Sequence, residues 1–167
     1  MHFLAAIVAT LALAAPTASN VAPCDKAMIG HGSADWRSES VVAGPVGVRR
    51  HPLDAMSSTR AGLVAKMPLL VEGGAPVTVS VPTALRSRVF LYYGHILGRD
   101  GQPTTLFSEA RGYGETEFRP CDEKPRTIWP GGIRVKGDGA VRLLVSVEGE
   151  APTPLLLGRP EVYEPGS

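Results

Sequence analysis

Pro76-Val77-Thr78-Val79-Ser80-Val81-Pro82 is the stretch that settles the fold class. Successive side chains of a strand point to opposite faces, so Val77, Val79 and Val81 share one side and Thr78 and Ser80 the other. A proline stands at each end, where a ladder can stop without losing an N–H donor. The pattern predicts a half-buried strand. Val89 to Tyr93 follows the same rule, with Val89, Leu91 and Tyr93 alternating against Phe90 and Tyr92, and both rows are apolar enough to be covered. Ile133-Arg134-Val135-Lys136 and Val141 to Val147 flank Gly137-Asp138-Gly139-Ala140, which predicts a hairpin closed by an Asp-Gly turn.

Less regular strands are predicted at Ser40 to Val48, Leu63 to Val71, Thr104 to Phe107, Glu115 to Phe118 and Pro154 to Leu157. After residue 20 no segment holds a 3.6-residue apolar period for three turns, and Gly and Pro punctuate the chain roughly every ten residues. Helix should therefore be scarce. The pattern predicts an all-β protein, an immunoglobulin-like antiparallel β-sandwich of about eight strands, with a β-barrel as the alternative.

The 167 residues suit one such domain. Hydrophobic residues at 44%, charged residues at 20% and a net charge of +1 describe an ordinary globular chain and speak against a disordered tail or an electrostatic nucleic-acid binder. Thirteen of the 17 basic residues are Arg, yet the only adjacent pair is Arg49 and Arg50, so no basic cluster is visible along the chain.

Phe3 to Ala15 form an uncharged apolar run of thirteen residues, too short for an ordinary membrane span and suited to a signal peptide. Helix-breaking Pro16 and the small or polar residues Thr17 to Asn20 follow. Only Met1 and His2 precede the run, without the usual Lys or Arg, which leaves an uncleaved membrane anchor open. The expected organisation is a signal peptide at 1–20, an irregular arm at 21–39, a β-sandwich at 40–160 and a tail at 161–167. The arm would be tied down by Cys24 and Trp36. Location outside the cell or in its envelope follows from this reading, and there Cys24 and Cys121, an even count in an oxidising setting, form a disulfide by default. Val21-Ala22-Pro23-Cys24 also has the outline of a lipid-attachment site, but Pro23 stands where a small residue is wanted.

Trp36-Arg37, Ser40-Val41-Val42-Ala43-Gly44-Pro45, Val77 to Pro82, Val89 to Gly94, Glu117-Phe118-Arg119-Pro120-Cys121 and Trp129-Pro130-Gly131-Gly132-Ile133 occur in this order. Together they resemble small exported actinobacterial β-sandwich proteins of unknown function, over about residues 36 to 158. The resemblance implies the fold, and it assigns no catalytic residue. It also implies a cysteine partner for Cys121 just after the loop that follows the Trp-Gly-Gly strand, a neighbourhood that here holds Ala140. By that comparison Cys24 is either a replacement partner or an unpaired thiol.

Catalytic readings are weak. Gly30-His31-Gly32-Ser33-Ala34-Asp35 holds a nucleophile, a base and a carboxylate, but three alternate residues of one extended segment cannot stack base on nucleophile and orienter on base. No nucleophile elbow, zinc-helix or phosphate-loop motif occurs. The four His residues lack paired metal spacing, and the acid pairs Glu115 and Glu117, Asp122 and Glu123, Glu148 and Glu150 read as solvated faces. Neither a metal nor a cofactor is expected. Tyr92, Tyr93, Tyr113, Phe118 and Trp129 are the residues a sugar-stacking surface would use, although the core must take at least one of the adjacent tyrosines. The long loop from Gly94 to Gly114 offers Arg99, Asp100, Glu109, Arg111 and Tyr113 as a binding loop. The reading is an exported, non-catalytic binding or accessory module of the envelope, its partner an envelope polymer or protein and not nucleic acid. A small hydrolase with an unconventional site and a purely structural envelope protein are the alternatives.

Overall fold

The computed structural model describes residues 19–28, 35–50, 57–59, 62–94, 112–122, 124–137 and 140–158. Its strands are β1 Ser19–Ala22, β2 Ser40–Ala43, β3 Val46–Arg49, β4 Ser57–Thr59, β5 Gly62–Lys66, β6 Leu69–Glu72 and β7 Val77–Ser80. They continue with β8 Val89–Tyr93, β9 Glu115–Phe118, β10 Arg126–Trp129, β11 Gly131–Val135, β12 Val141–Val147 and β13 Thr153–Leu157. Two short 3-10 turns, Cys24–Lys26 and Thr83–Leu85, are the helical elements among the described residues. No helix there is long and apolar enough to cross a membrane.

The alternation expected of β7 is realised: Val77 and Val79 are buried, Thr78 and Ser80 are half-buried, and Val81 continues the inward row. β7 lies between β9 and β12 in a five-stranded sheet ordered β1-β9-β7-β12-β13. Its pairs are antiparallel except β1 with β9, which run parallel.

Two four-stranded ladders, β10-β6-β3-β2 and β4-β5-β11-β8, make up the rest. One register joins them. Val71 faces Thr127 in the first and Ala65 faces Ile133 in the second, six residues earlier on one strand and six later on the other. Continued through the gap, that offset sets Met67 opposite Gly131, whose carbonyl accepts the Met67 N–H at 3.0 Å, and Pro68 opposite Pro130. Neither proline has an N–H to give, so the ladder lapses there and one long strand pair is divided in two.

Three sequence expectations are corrected by this pairing. Leu63 to Val71 is not one strand but β5 and β6, separated at Met67-Pro68. Ser40 to Val48 is the hairpin β2–β3, turned at Gly44, whose φ of 55° disfavours any residue with a side chain. The hairpin predicted around Asp138-Gly139 does not form. β11 is paired on both edges by β5 and β8, and β12 by β7 and β13, so the chain passes from one layer to the other between them. Both strands send apolar rows into one core, Ile133 and Val135 from β11 and Val141, Leu143 and Val145 from β12. Rows that meet face to face across a sandwich look the same in sequence as rows that lie side by side in one sheet. The strand expected at Thr104 to Phe107 lies outside the described residues.

The inward rows of all three ladders merge into a single buried cluster, the core of a β-sandwich. Tyr93, Phe118 and Trp129 run through it edge to face, with 5.1 Å between centroids at each step. The Tyr93 hydroxyl donates to the Met67 carbonyl at 2.6 Å, and burial pushes this phenol far above its usual range. At one margin Tyr113 exchanges two backbone hydrogen bonds with Leu91 of β8, and the chain then enters β9 of the opposite layer. At the other margin β13 lies against β2. Among the described residues no sheet closes on itself, so the arrangement is a sandwich and not the alternative barrel.

The arm is held at both expected points. Cys24 is bonded to Cys121 across a separation of 97 residues. The six-membered ring of Trp36 packs against Gly47 so closely that a Cβ there would collide with it. Arg37 stacks on the indole at 4.8 Å and binds Glu72 at 2.5 Å. That hydrogen bond holds the Glu72 carboxyl below its ordinary range against the opposing effect of burial. Further ties run from Asn20 Nδ2 to the Tyr93 carbonyl at 2.5 Å, from Trp129 Nε1 to the Pro23 carbonyl at 3.0 Å, and from Met28 N–H to the Ile128 carbonyl at 2.6 Å.

Replacing both cysteines by serine removes a cross-link whose loop entropy is worth roughly 4 to 5 kcal/mol. Urea unfolding of the double variant is expected to show a loss of about that size, and a loss below about 1 kcal/mol would show that the other ties hold the arm alone.

Candidate functional site

Of the five loop residues singled out from the sequence, Arg99, Asp100, Glu109 and Arg111 lie outside the described residues. Tyr113 is 7% exposed and bridged to Leu91. His31 and Ser33 also lie outside, while Asp35 is exposed in the turn before Ser38. Glu115 and Glu117 share the half-buried outer face of β9, and Glu117 pairs with Arg119 at 2.7 Å. Glu148 and Glu150 sit in the turn after β12 and not on a strand. Among the described residues no three His, Cys, Asp or Glu side chains are grouped to hold a metal ion. Tyr92, Tyr93, Phe118 and Trp129 are fully buried, so none of these rings is a stacking platform.

A different set of side chains meets on the outer face of β5, β11 and β8. Ile133 and Val135 face the core, so their neighbour Arg134 faces away from it. Val89, Leu91 and Tyr93 likewise turn Phe90 and Tyr92 outward. The register then brings Arg134 opposite Phe90 on one side and Val64 on the other, and sets Gly132 between Tyr92 and Lys66. One step past β11, Lys136 gives its N–H to the Arg88 carbonyl at 2.8 Å. Residues from 66 to 136 thus contribute cations to one patch.

The Arg134 guanidinium lies 4.9 Å from the Phe90 ring centre and 5.3 Å from that of Tyr92. Lys136 Nζ stands 5.4 Å from the same Phe90 ring. Arg134 is only 7% exposed although it is on the side away from the core. Gly112 packs down on the two rings: a Cβ there would be 2.4 Å from Phe90 Cβ and 2.9 Å from Tyr92 Oη. The Arg134 Nε is buried without a hydrogen-bond partner, and no carboxylate pairs with this side chain among the described residues. No acidic residue occurs on β5, β8 or β11.

A charge held nearly out of water is costly unless paired. Cation–π contacts return about 0.5 to 2 kcal/mol and leave the N–H donors of the guanidinium unspent. The arrangement is a rigid cation on an aromatic base, short of an anionic partner. The set is not legible in the sequence because Lys66 comes from β5, Arg134 and Lys136 from β11 and its end, and the rings from β8; the one local sign is an arginine placed between two core residues. No family model matches the chain, and no relative is found among the curated proteins.

If folding does not need this charge, Arg134→Met should raise stability by about 1 to 2 kcal/mol in urea unfolding, since Met fills the volume without an unpaired donor. A loss of about 3 kcal/mol would instead show that the guanidinium is held by groups of the fold.

Proposed function

We propose that the protein is exported and works as a non-catalytic binding module at the cell envelope or outside it, with the outer face of β5, β11 and β8 as its recognition surface. The observation that carries this reading is Arg134, fixed between Phe90 and Tyr92 with no anionic partner among the described residues. A side chain whose position is locked before the ligand arrives loses little freedom on binding, which is the property a recognition surface needs. Export is supported by the uncharged apolar run at Phe3 to Ala15 and by a disulfide compatible with an oxidising compartment. The resemblance of the chain's motifs to small exported proteins points the same way.

Immobilised protein incubated with cell-wall extract is the test. Retention of an envelope component that falls about tenfold or more in an Arg134→Gln, Lys136→Gln double variant is expected, given the strength of charge-assisted hydrogen bonds. Retention that is absent, or identical in the double variant, would overturn the assignment of this face.

A further inference from the structure

We infer that Arg134 and Lys136, seated on Phe90, form a receptor for a phosphoryl group; this rests on the reading of the same face as the recognition surface. Both cations approach one ring, Arg134 at 4.9 Å and Lys136 at 5.4 Å from its centre. Lys136 follows β11 by one residue and lies two residues from Arg134, about 6.8 Å along extended backbone, a span that one ligand can bridge at Phe90.

The choice among anions follows from counting donors and charges. A carboxylate has one charge and two oxygens, and the planar fork of Arg134 satisfies it alone, which leaves Lys136 without a role. A phosphate monoester carries between one and two charges near neutral pH and three terminal oxygens. Two of these oxygens fit the guanidinium fork and the third fits an ammonium, which binds phosphate as a point charge. Lys66, exposed and two positions across the sheet, adds to the positive potential without touching the same group. β5, β8 and β11 bring no carboxylate of their own to repel a phosphate. Free phosphate and a phosphate monoester pendent on an envelope polymer both offer three terminal oxygens, so the receptor admits either source.

The test is titration of the whole chain at low salt with inorganic phosphate and, separately, with a dextran bearing phosphate monoesters, followed by the NMR signals of Arg134 Nε–H and the Lys136 amide. Saturable shifts at both positions are expected with inorganic phosphate. Arg134→Gln should weaken binding about tenfold or more and Lys136→Gln severalfold, while Arg142→Gln, an exposed arginine on β12, leaves it unchanged. Binding of the phosphorylated dextran tighter than its number of groups explains assigns a polymer source, and equal binding per group assigns the free anion; both support the receptor. Absence of shifts at millimolar phosphate, equal binding of acetate, or an equal effect of Arg142→Gln overturns it. Because Lys136 is exposed, its variant remains informative even if Arg134→Gln fails to fold. If phosphate does not bind but capture from cell-wall extract still depends on Arg134, the recognition surface stands and only the phosphoryl assignment falls.

Discussion

One antiparallel register, running from Glu72 opposite Arg126 to Leu63 opposite Val135, decides which side chains this protein keeps and which it shows. Strand side chains have a period of two, so a slip of one residue would turn Ile133 and Val135 out and Arg134 in. The burial of two apolar side chains and the cost of a charge in the core both oppose that slip. The outward position of Arg134 is therefore a consequence of core packing and needs no local device. The facing pair Pro68 and Pro130 interrupts the hydrogen bonds between the strands without disturbing the offset.

The same register explains why β8 is covered on both sides. Its inward row, Val89, Leu91 and Tyr93, belongs to the common core, and Tyr93 spends its hydroxyl on the Met67 carbonyl at the proline break. Its outward row, Phe90 and Tyr92, carries Arg134 beneath the close approach of Gly112. A strand that is apolar on both faces thus serves two layers, one that stabilises the sandwich and one that orients a cation. The arm works at the opposite end of the molecule's needs: the cross-link from Cys24 to Cys121, the indole of Trp129 bonded to Pro23 and the seat of Trp36 on Gly47 hold it against the sheets.

The fold class and several strand positions were legible because alternation and turn residues are local. β8, β9 and β12 have the limits their sequences predict, and β7 shows the expected inward valines. Local pattern failed where partners decide. It could not tell a crossing between layers from a hairpin after Val135, and it could not divide Leu63 to Val71 without knowing that Pro68 faces Pro130. β1, β4 and β10 were missed; Ser-Asn-Val-Ala in β1 has no alternation and is extended because it lies along β9. The candidate face was illegible for the same reason. Arg134, Lys136 and Phe90 become neighbours through a register between segments more than forty residues apart, and no stretch of the chain carries that information.

The register itself can be measured directly by cross-strand proton contacts in NMR. Backbone contacts between Ala65 and Ile133 and between Leu70 and Ile128, found together in one protein, are the expected result. Contacts of Arg134 with Ala65, or of Ile128 with Val71, would mean a one-residue offset, which would carry Arg134 to the core side and dissolve the proposed recognition face.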